Sequence, residues 1–253
     1  MPSASLRTRP STFLELDEPD RPPALDSDAL PERLEEPIDW ERLAPRGLWA
    51  QWGRPMFDEL LLALTLPPAL VVIALVALAN AVAFGGLRKA FFVQPRVGHR
   101  GRIFQLVKFR TMREPTGSVF EAWSGGDVAR VTRMGKFLRS THLDELPQLF
   151  NVLRGEMSFI GPRPEMIEVE EWACTNVPGF LERMAIKPGI TGWAQITQGY
   201  TPKDVEAYRR KLELNREYLA KLSFATDMGI VGRTLVWMVL GRGWRWNKKS
   251  KDS

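Results

Sequence analysis

The chain has 253 residues, with 35 Lys+Arg against 30 Asp+Glu and a formal charge of +5, which is room for one ordinary domain plus appendages. Cys174 is its single cysteine, so an internal disulfide is excluded, and with only His99 and His142 beside it the composition argues against a structural zinc site. The charge is unevenly placed: residues 1–55 carry 7 basic and 11 acidic side chains, leaving 28 and 19, a net of +9, on the remainder. A basic folded part calls for an anionic partner, whether phosphate, nucleic acid or anionic lipid.

Residues 1–55 are acidic and broken by Pro10, Pro19, Pro22, Pro23, Pro31, Pro37 and Pro45. They read as a disordered cytosolic tail, and not as a secretory signal, because no apolar core follows the first basic residues. Trp40, Leu48, Trp49 and Trp52 close this region. They suit either a membrane surface, where indole rings favour the interface, or a short pre-helix packed on the domain. Residues 60–87 then run without a charge, longer than the ~20 apolar residues that cross a bilayer. Pro67-Pro68 interrupts them. Two missing donors and two ring clashes predict a bend or break there. A kinked span and a helix-break-helix that enters and leaves by one face both remain open. Arg88, Lys89, Arg96, Arg100 and Arg102 mark the C-terminal flank as cytoplasmic.

Two short strands are predicted next, Phe91–Gln94 and Ile103–Phe109, around a turn with Gly98 and Gly101. Residues 113–127 are a polar loop. The remaining half reads as mainly helical: a short helix over residues 146–153 ended by Gly155, another over 164–176, and a third capped by Thr201 with Pro202 in its first turn and Asp204 three after the cap. The stretch from Met228 to Trp246 joins apolar residues to Trp237, Trp244 and Trp246 and ends in Lys and Arg, the composition of an interfacial anchor or of a helix packed on the domain.

The chemistry centres on Asp144-Glu145 in the run Arg139-Ser-Thr-His-Leu-Asp-Glu-Leu-Pro-Gln148. Pro147 suits a first helical turn, so both acids lie at a positive helix end. Arg130, Arg133, Lys136 and Arg139 precede them. Such a field lowers carboxylate pKa values and collects phosphates. Two acids can hold Mg²⁺ beside waters and substrate oxygens, and a carboxylate can itself attack phosphorus. In Gly161-Pro162-Arg163-Pro164-Glu165 two prolines pin one arginine, whose planar fork matches phosphate oxygens. Lys108-Phe109-Arg110-Thr111-Met112 places two cations at a strand end, and Pro188–Gln195 is a glycine-punctuated turn. Walker, dinucleotide and serine-elbow motifs are absent.

Taken in order, the proline-broken apolar segment, Lys108–Met112, Leu143–Gln148, Gly161–Pro164 and Pro188–Gln195 closely resemble the bacterial sugar transferase family of monotopic polyprenol-phosphate phosphoglycosyl transferases. The resemblance covers roughly residues 55–245. It implies an α+β, mainly helical protein: a membrane-embedded re-entrant helix-break-helix over 56–90 broken at Pro67-Pro68, a small cytoplasmic catalytic domain over 91–246 with a short β-hairpin and amphipathic interfacial helices, and a basic tail over 247–253. It implies transfer of a phospho-sugar from a UDP-sugar to undecaprenyl phosphate with release of UMP, the starting step of exopolysaccharide, capsule or another surface glycan, at the bacterial inner membrane. Asp144 would be the nucleophile of a covalent phospho-sugar intermediate, Glu145 its metal neighbour or base, and Mg²⁺ would sit against the pair. Lys108, Arg110, Arg139, Gln148 and Arg163 would meet substrate, with Gln148 one helical turn beyond Asp144. Membrane lipid is a partner, nucleic acid is not, and a homo-oligomer stays open. Larger members carry transmembrane helices before this domain, where this chain has its acidic tail, so a regulatory module is expected to be absent or replaced. Two other readings fit the residues less fully: a membrane glycosyltransferase that releases UDP, and a non-enzymatic membrane-anchored adaptor for anionic polymer or lipid.

Overall fold

The computed structural model describes residues 38–114 and 129–239. The expectations for the first 37 residues, for most of the 113–127 loop and for the basic tail lie outside them.

Residues 40–53 are built onto the domain, so the tail boundary expected at residue 55 falls inside helical structure. Trp40–Leu43 form one turn capped by the Asp39 carboxylate, which accepts from Arg42 N at 3.0 Å. Trp49–Gly53 form a wider π-type turn that runs directly into helix α1, Arg54–Phe84. The Trp49 indole is fastened rather than floating: its N–H donates to Asp227 at 2.9 Å and its ring meets Phe224 edge-on at 4.9 Å.

Helix α1 corrects the expected break. Its 31 residues stay helical through Pro67 and Pro68, and its end is set by Gly85 in the left-handed conformation. Loss of two backbone donors therefore does not end the helix, which excludes the break and not the bend. In the turn just before the prolines, the Thr65 hydroxyl donates to Leu61 O at 2.6 Å. After the prolines one stripe, Ala69, Ile73, Val76, Ala77 and Asn80, is buried at helical spacing. It packs on Phe109, Leu138 and Leu149 of the domain. Met56, Leu60, Leu64, Val71, Leu75, Leu78 and Val82 run along the exposed side. Both ends of the helix are tied down. Arg54 pairs with Asp227 at 3.2 Å and donates to Ile160 O, and Asp58 accepts from Ser158 Oγ and Phe159 N, each at 3.0 Å. At the far end the buried Asn80 amide donates to Ala90 O at 3.1 Å and Arg110 O at 3.0 Å.

The predicted hairpin is present and longer in its first strand: β1, Phe91–Val97, pairs antiparallel with β2, Ile103–Phe109, from Phe91 opposite Phe109 to Val97 opposite Ile103. Helix α2, Arg133–Ser140, is capped by Thr132, whose hydroxyl accepts from Gly135 N. A 3₁₀ segment, Leu143–Gln148, leads into α3, Leu149–Leu153, which stops before Gly155 at φ +74°. The helix expected from residue 164 begins only at α4, Ile167–Asn176. Pro164 disfavours helical backbone at Arg163, and the segment before α4 stays extended. A parallel pair unforeseen from sequence, β3 (Ser158–Ile160) and β4 (Gly189–Thr191), joins the two sides of the domain. After α5, Trp193–Gln198, comes α6, Val205–Ala220, whose cap is Asp204 rather than Thr201: the Asp204 carboxylate accepts from Ala207 N at 2.8 Å. Helix α7, Phe224–Val239, buries Asp227 and Ile230 while Phe224, Leu235, Val236 and Met238 stay exposed.

Candidate active site

The site forms where β2, the 3₁₀ segment and the strap between β3 and α4 converge. Lys108 sits at the penultimate position of β2. Its ammonium donates to Glu145 Oε1 at 2.7 Å, and Arg163 Nη2 donates to the same oxygen at 3.0 Å. Three of the residues singled out in the sequence thus meet at one atom, across 37 and 18 residues of chain. Lys108 and Glu145 are mostly buried, with side chains 16% and 18% exposed, whereas Arg163 keeps 35%. Arg163 is therefore the more exposed cation of the pair.

Electrostatics separate the two acids. Burial alone would raise the Glu145 carboxyl, but Lys108 and Arg163 outweigh it and hold it well below the usual carboxylate range. Asp144 is pushed the other way, first by burial and then by the Glu145 charge, against the pull of Lys108, Arg139 and His142. No hydrogen bond among the described residues ends on the Asp144 carboxylate. Burial lowers Lys108, with Glu145 opposing, and Arg163 is raised chiefly by Glu145. Glu145 is thus an anchored anion, and Asp144 a carboxylate without a hydrogen-bond donor among the described residues, in a cationic setting.

Local backbone explains this presentation. His142 takes a left-handed conformation, φ 56° and ψ 14°, between α2 and the 3₁₀ segment. Few non-glycine residues adopt it, and it turns the chain so that the acids open the next helical segment. This pivot carried no sequence signal beyond being a histidine before the acids. Because the segment is 3₁₀, residues three apart eclipse. Gln148 therefore lines up with Glu145 rather than with Asp144, as an α-helical spacing had led us to expect. It is 2% exposed, and its Nε2 is buried with no partner among the described residues.

The remaining predicted contacts divide. Arg139, in the last turn of α2, donates through Nε to Thr111 Oγ1 at 2.9 Å and acts on Asp144 through its charge. Arg110 is drawn elsewhere: its guanidinium donates to Glu114 at 3.3 Å and lies 6.0 Å from the Phe84 ring centre, so the structure does not bring it onto the acid pair. For a divalent metal, the donors on hand are Asp144 and the second oxygen of Glu145, since Oε1 carries both cations. No cluster of three or more His, Cys, Asp or Glu suited to a metal exists among the described residues. Two carboxylates fit Mg²⁺, which keeps waters and takes further oxygens from substrate phosphates.

A helix lodged on a small α+β domain, with an acid pair set among cations, defines a class, and comparison with known sequences agrees. Residues 49–241 match the profile of the bacterial sugar transferase family, and the chain belongs to that family. It is 41% identical over 157 residues to the UDP-N-acetylgalactosamine-undecaprenyl-phosphate N-acetylgalactosaminephosphotransferase of Aeromonas hydrophila, covering 61% of this chain and 36% of the relative. It is 41% identical over 150 residues to the UDP-glucose:undecaprenyl-phosphate glucose-1-phosphate transferase of Caulobacter vibrioides, covering 58% and 55%. The Escherichia coli protein of the same description is 37% identical over 176 residues, covering 69% and 37%. The chain spans about a third to about half the length of these relatives.

Proposed function

We propose that this protein moves a sugar phosphate from a UDP-sugar to undecaprenyl phosphate at the cytoplasmic face of a bacterial inner membrane, beginning the assembly of a surface glycan. The observation that carries the reading is the Asp144 carboxylate, without a donor among the described residues, beside a Glu145 held by Lys108 and Arg163. The relatives named for undecaprenyl-phosphate sugar phosphotransfer support it from outside the chain.

In this reading an Asp144 oxygen attacks the phosphorus that bears the sugar, and the bond from that phosphorus to the bridging oxygen breaks. UMP leaves with the electron pair. A phosphate oxygen of undecaprenyl phosphate then attacks the same phosphorus and frees Asp144. Two displacements at one carboxylate let a small site receive two anionic substrates in turn. Arg163 and Lys108 counter phosphate charge, and Arg139 does so from the α2 side. Bound Mg²⁺ would be held by Asp144 and Glu145 and would neutralise diphosphate charge.

The placement of α1 supports a monotopic reading. Arg54 and Asp58 at one end and Asn80 at the other are fastened to the same domain. A helix crossing a bilayer would carry those two ends to opposite faces, about 30 Å of hydrocarbon apart. A helix lying in one leaflet keeps both beside the domain and turns its exposed apolar side to lipid, with the outward Leu235, Val236 and Met238 of α7 at the same interface.

The test follows the leaving group. Purified protein with Mg²⁺ and a panel of UDP-sugars is expected to release UMP beyond a single stoichiometric turnover only when undecaprenyl phosphate is present. UDP in place of UMP would replace this reading with sugar transfer lacking the phosphate, and no nucleotide from any donor would favour the anion-binding adaptor.

A further inference from the structure

Arg163 reaches Glu145 from an extended strap between Ile160 and Ile167, and that strap is held by its carbonyls. Gly189 N donates to Pro162 O at 2.9 Å, Arg183 Nη1 to Arg163 O at 2.8 Å, Arg96 Nη1 to Pro164 O at 3.2 Å, and Val97 N to Glu165 O at 3.1 Å. Four consecutive carbonyls thus take donors from β4, the segment before it, and β1. Pro162 and Pro164 have no N–H of their own. The Glu165 carboxylate closes the far end on Lys211 of α6.

Among these donors Arg183 is the unusual one. It is fully buried in the 3₁₀ segment Phe180–Ala185, its guanidinium 4.4 Å from the Phe180 ring centre and its Nη2 on Glu170, which is also fully buried. A buried ion pair is a poor stabiliser, because desolvation rivals the attraction. Here Arg183 Nε and Glu170 Oε1 have no partner among the described residues, and burial pushes the Glu170 carboxyl up to about 7 even beside Arg183. The pair is therefore a weak source of stability, whereas the remaining nitrogen, Nη1, has a definite task at Arg163 O.

We infer that Arg183, oriented by Glu170, is a positioning residue that fixes the strap so that Arg163 meets Glu145 and faces the substrate phosphates. The inference rests on the phospho-sugar transfer proposed above. Arg183 itself is sealed from substrate and acts only through Arg163. Misplacement by about 1 Å can cost on the order of 10²-fold in rate, so the effect is large enough to measure.

The experiment is a double-mutant cycle on the full chain, read as kcat/KM for UMP release from UDP-glucose and UDP-N-acetylgalactosamine. E170M/R183M removes the donor without leaving a lone buried charge. It is expected to lower kcat/KM at least about 10-fold in the wild-type background and less than about 2-fold when Arg163→Ala is already present, because residues acting through one another are not additive. Arg183→Lys is expected to recover part of the loss, and it serves in the same cycle if the methionine pair does not fold. Equal losses in both backgrounds overturn the inference. Hydrogen exchange of the 158–167 peptide gives a readout free of catalysis: faster exchange in E170M/R183M at an unchanged melting temperature supports the clamp, and unchanged exchange refutes it. A wild-type chain that releases no UMP from either donor, or from the wider panel, removes the functional reading, and the exchange result still decides the clamp.

Discussion

On Glu145 a single oxygen carries two cations, while on Asp144 no described side chain or backbone group donates to either oxygen. A carboxylate so engaged is a poor nucleophile and a good anchor; the other is available. The pH dependence follows. Asp144 is raised by burial and by Glu145, so it takes up its proton at higher pH than an exposed aspartate and activity should fail earlier on the acid side. Glu145→Gln removes the repulsion and leaves Lys108 and Arg163 in place, so the acid limb of kcat/KM should move to lower pH even as the maximal rate falls. A limb that stays put, or moves up, would separate Asp144 from the titration. The acid pair, Lys108 and Arg163 were legible in the sequence because carboxylates and proline-pinned arginines are rare company. Gln148 was misaligned because the turn type was not: an α-helix would have set it under Asp144, and the 3₁₀ turn sets it under Glu145.

Between elements, the strap depends on backbones that nearly touch. A methyl group added at Gly189 would stand 2.0 Å from Gly161 N, and one at Gly192 2.0 Å from Gly161 O. The β3–β4 pair can approach this closely only without side chains there. Gly189→Ala is expected to destabilise the domain by about 1–3 kcal/mol, in the range of core overpacking, and to lower UMP release further than the stability loss alone, because Gly189 N also holds Pro162 O. A variant with the wild-type melting temperature and wild-type turnover would contradict this view of the crossing. The β1–β2 hairpin was readable from its apolar, aromatic runs and its glycine turn. The β3–β4 pair was not, since three-residue strands carry almost no periodic signal and join partners distant in the chain. The α6 start was shifted for a related reason: Thr201 and Asp204 both cap well, and only the contact with Ala207 N distinguishes them.

At the scale of the whole molecule, the uncharged run was plain in the sequence, but its fastening was not, because Trp49 and Asp227 meet across 178 residues. Arg54, Trp49 and Tyr218 all converge on Asp227, with the Tyr218 hydroxyl at 2.6 Å, and so tie the entry of α1 to α6 and α7. With Asn80 holding the exit, both ends are fastened to the domain, and the monotopic reading proposed above puts both on one side of the membrane. A cysteine at the exposed Leu48 in a Cys174→Ser background should therefore resist an impermeant thiol reagent in intact spheroplasts and react after lysis. Labelling before lysis would mean that α1 spans. The central claim is that Asp144 carries the phospho-sugar, and the most direct measurement is the intact mass of the protein mixed with its UDP-sugar and Mg²⁺ in the absence of acceptor. The account predicts an added sugar phosphate on the wild type, discharged by undecaprenyl phosphate and missing from Asp144→Asn. An unmodified wild type that nonetheless turns over with acceptor, or an adduct that persists in Asp144→Asn, would contradict it.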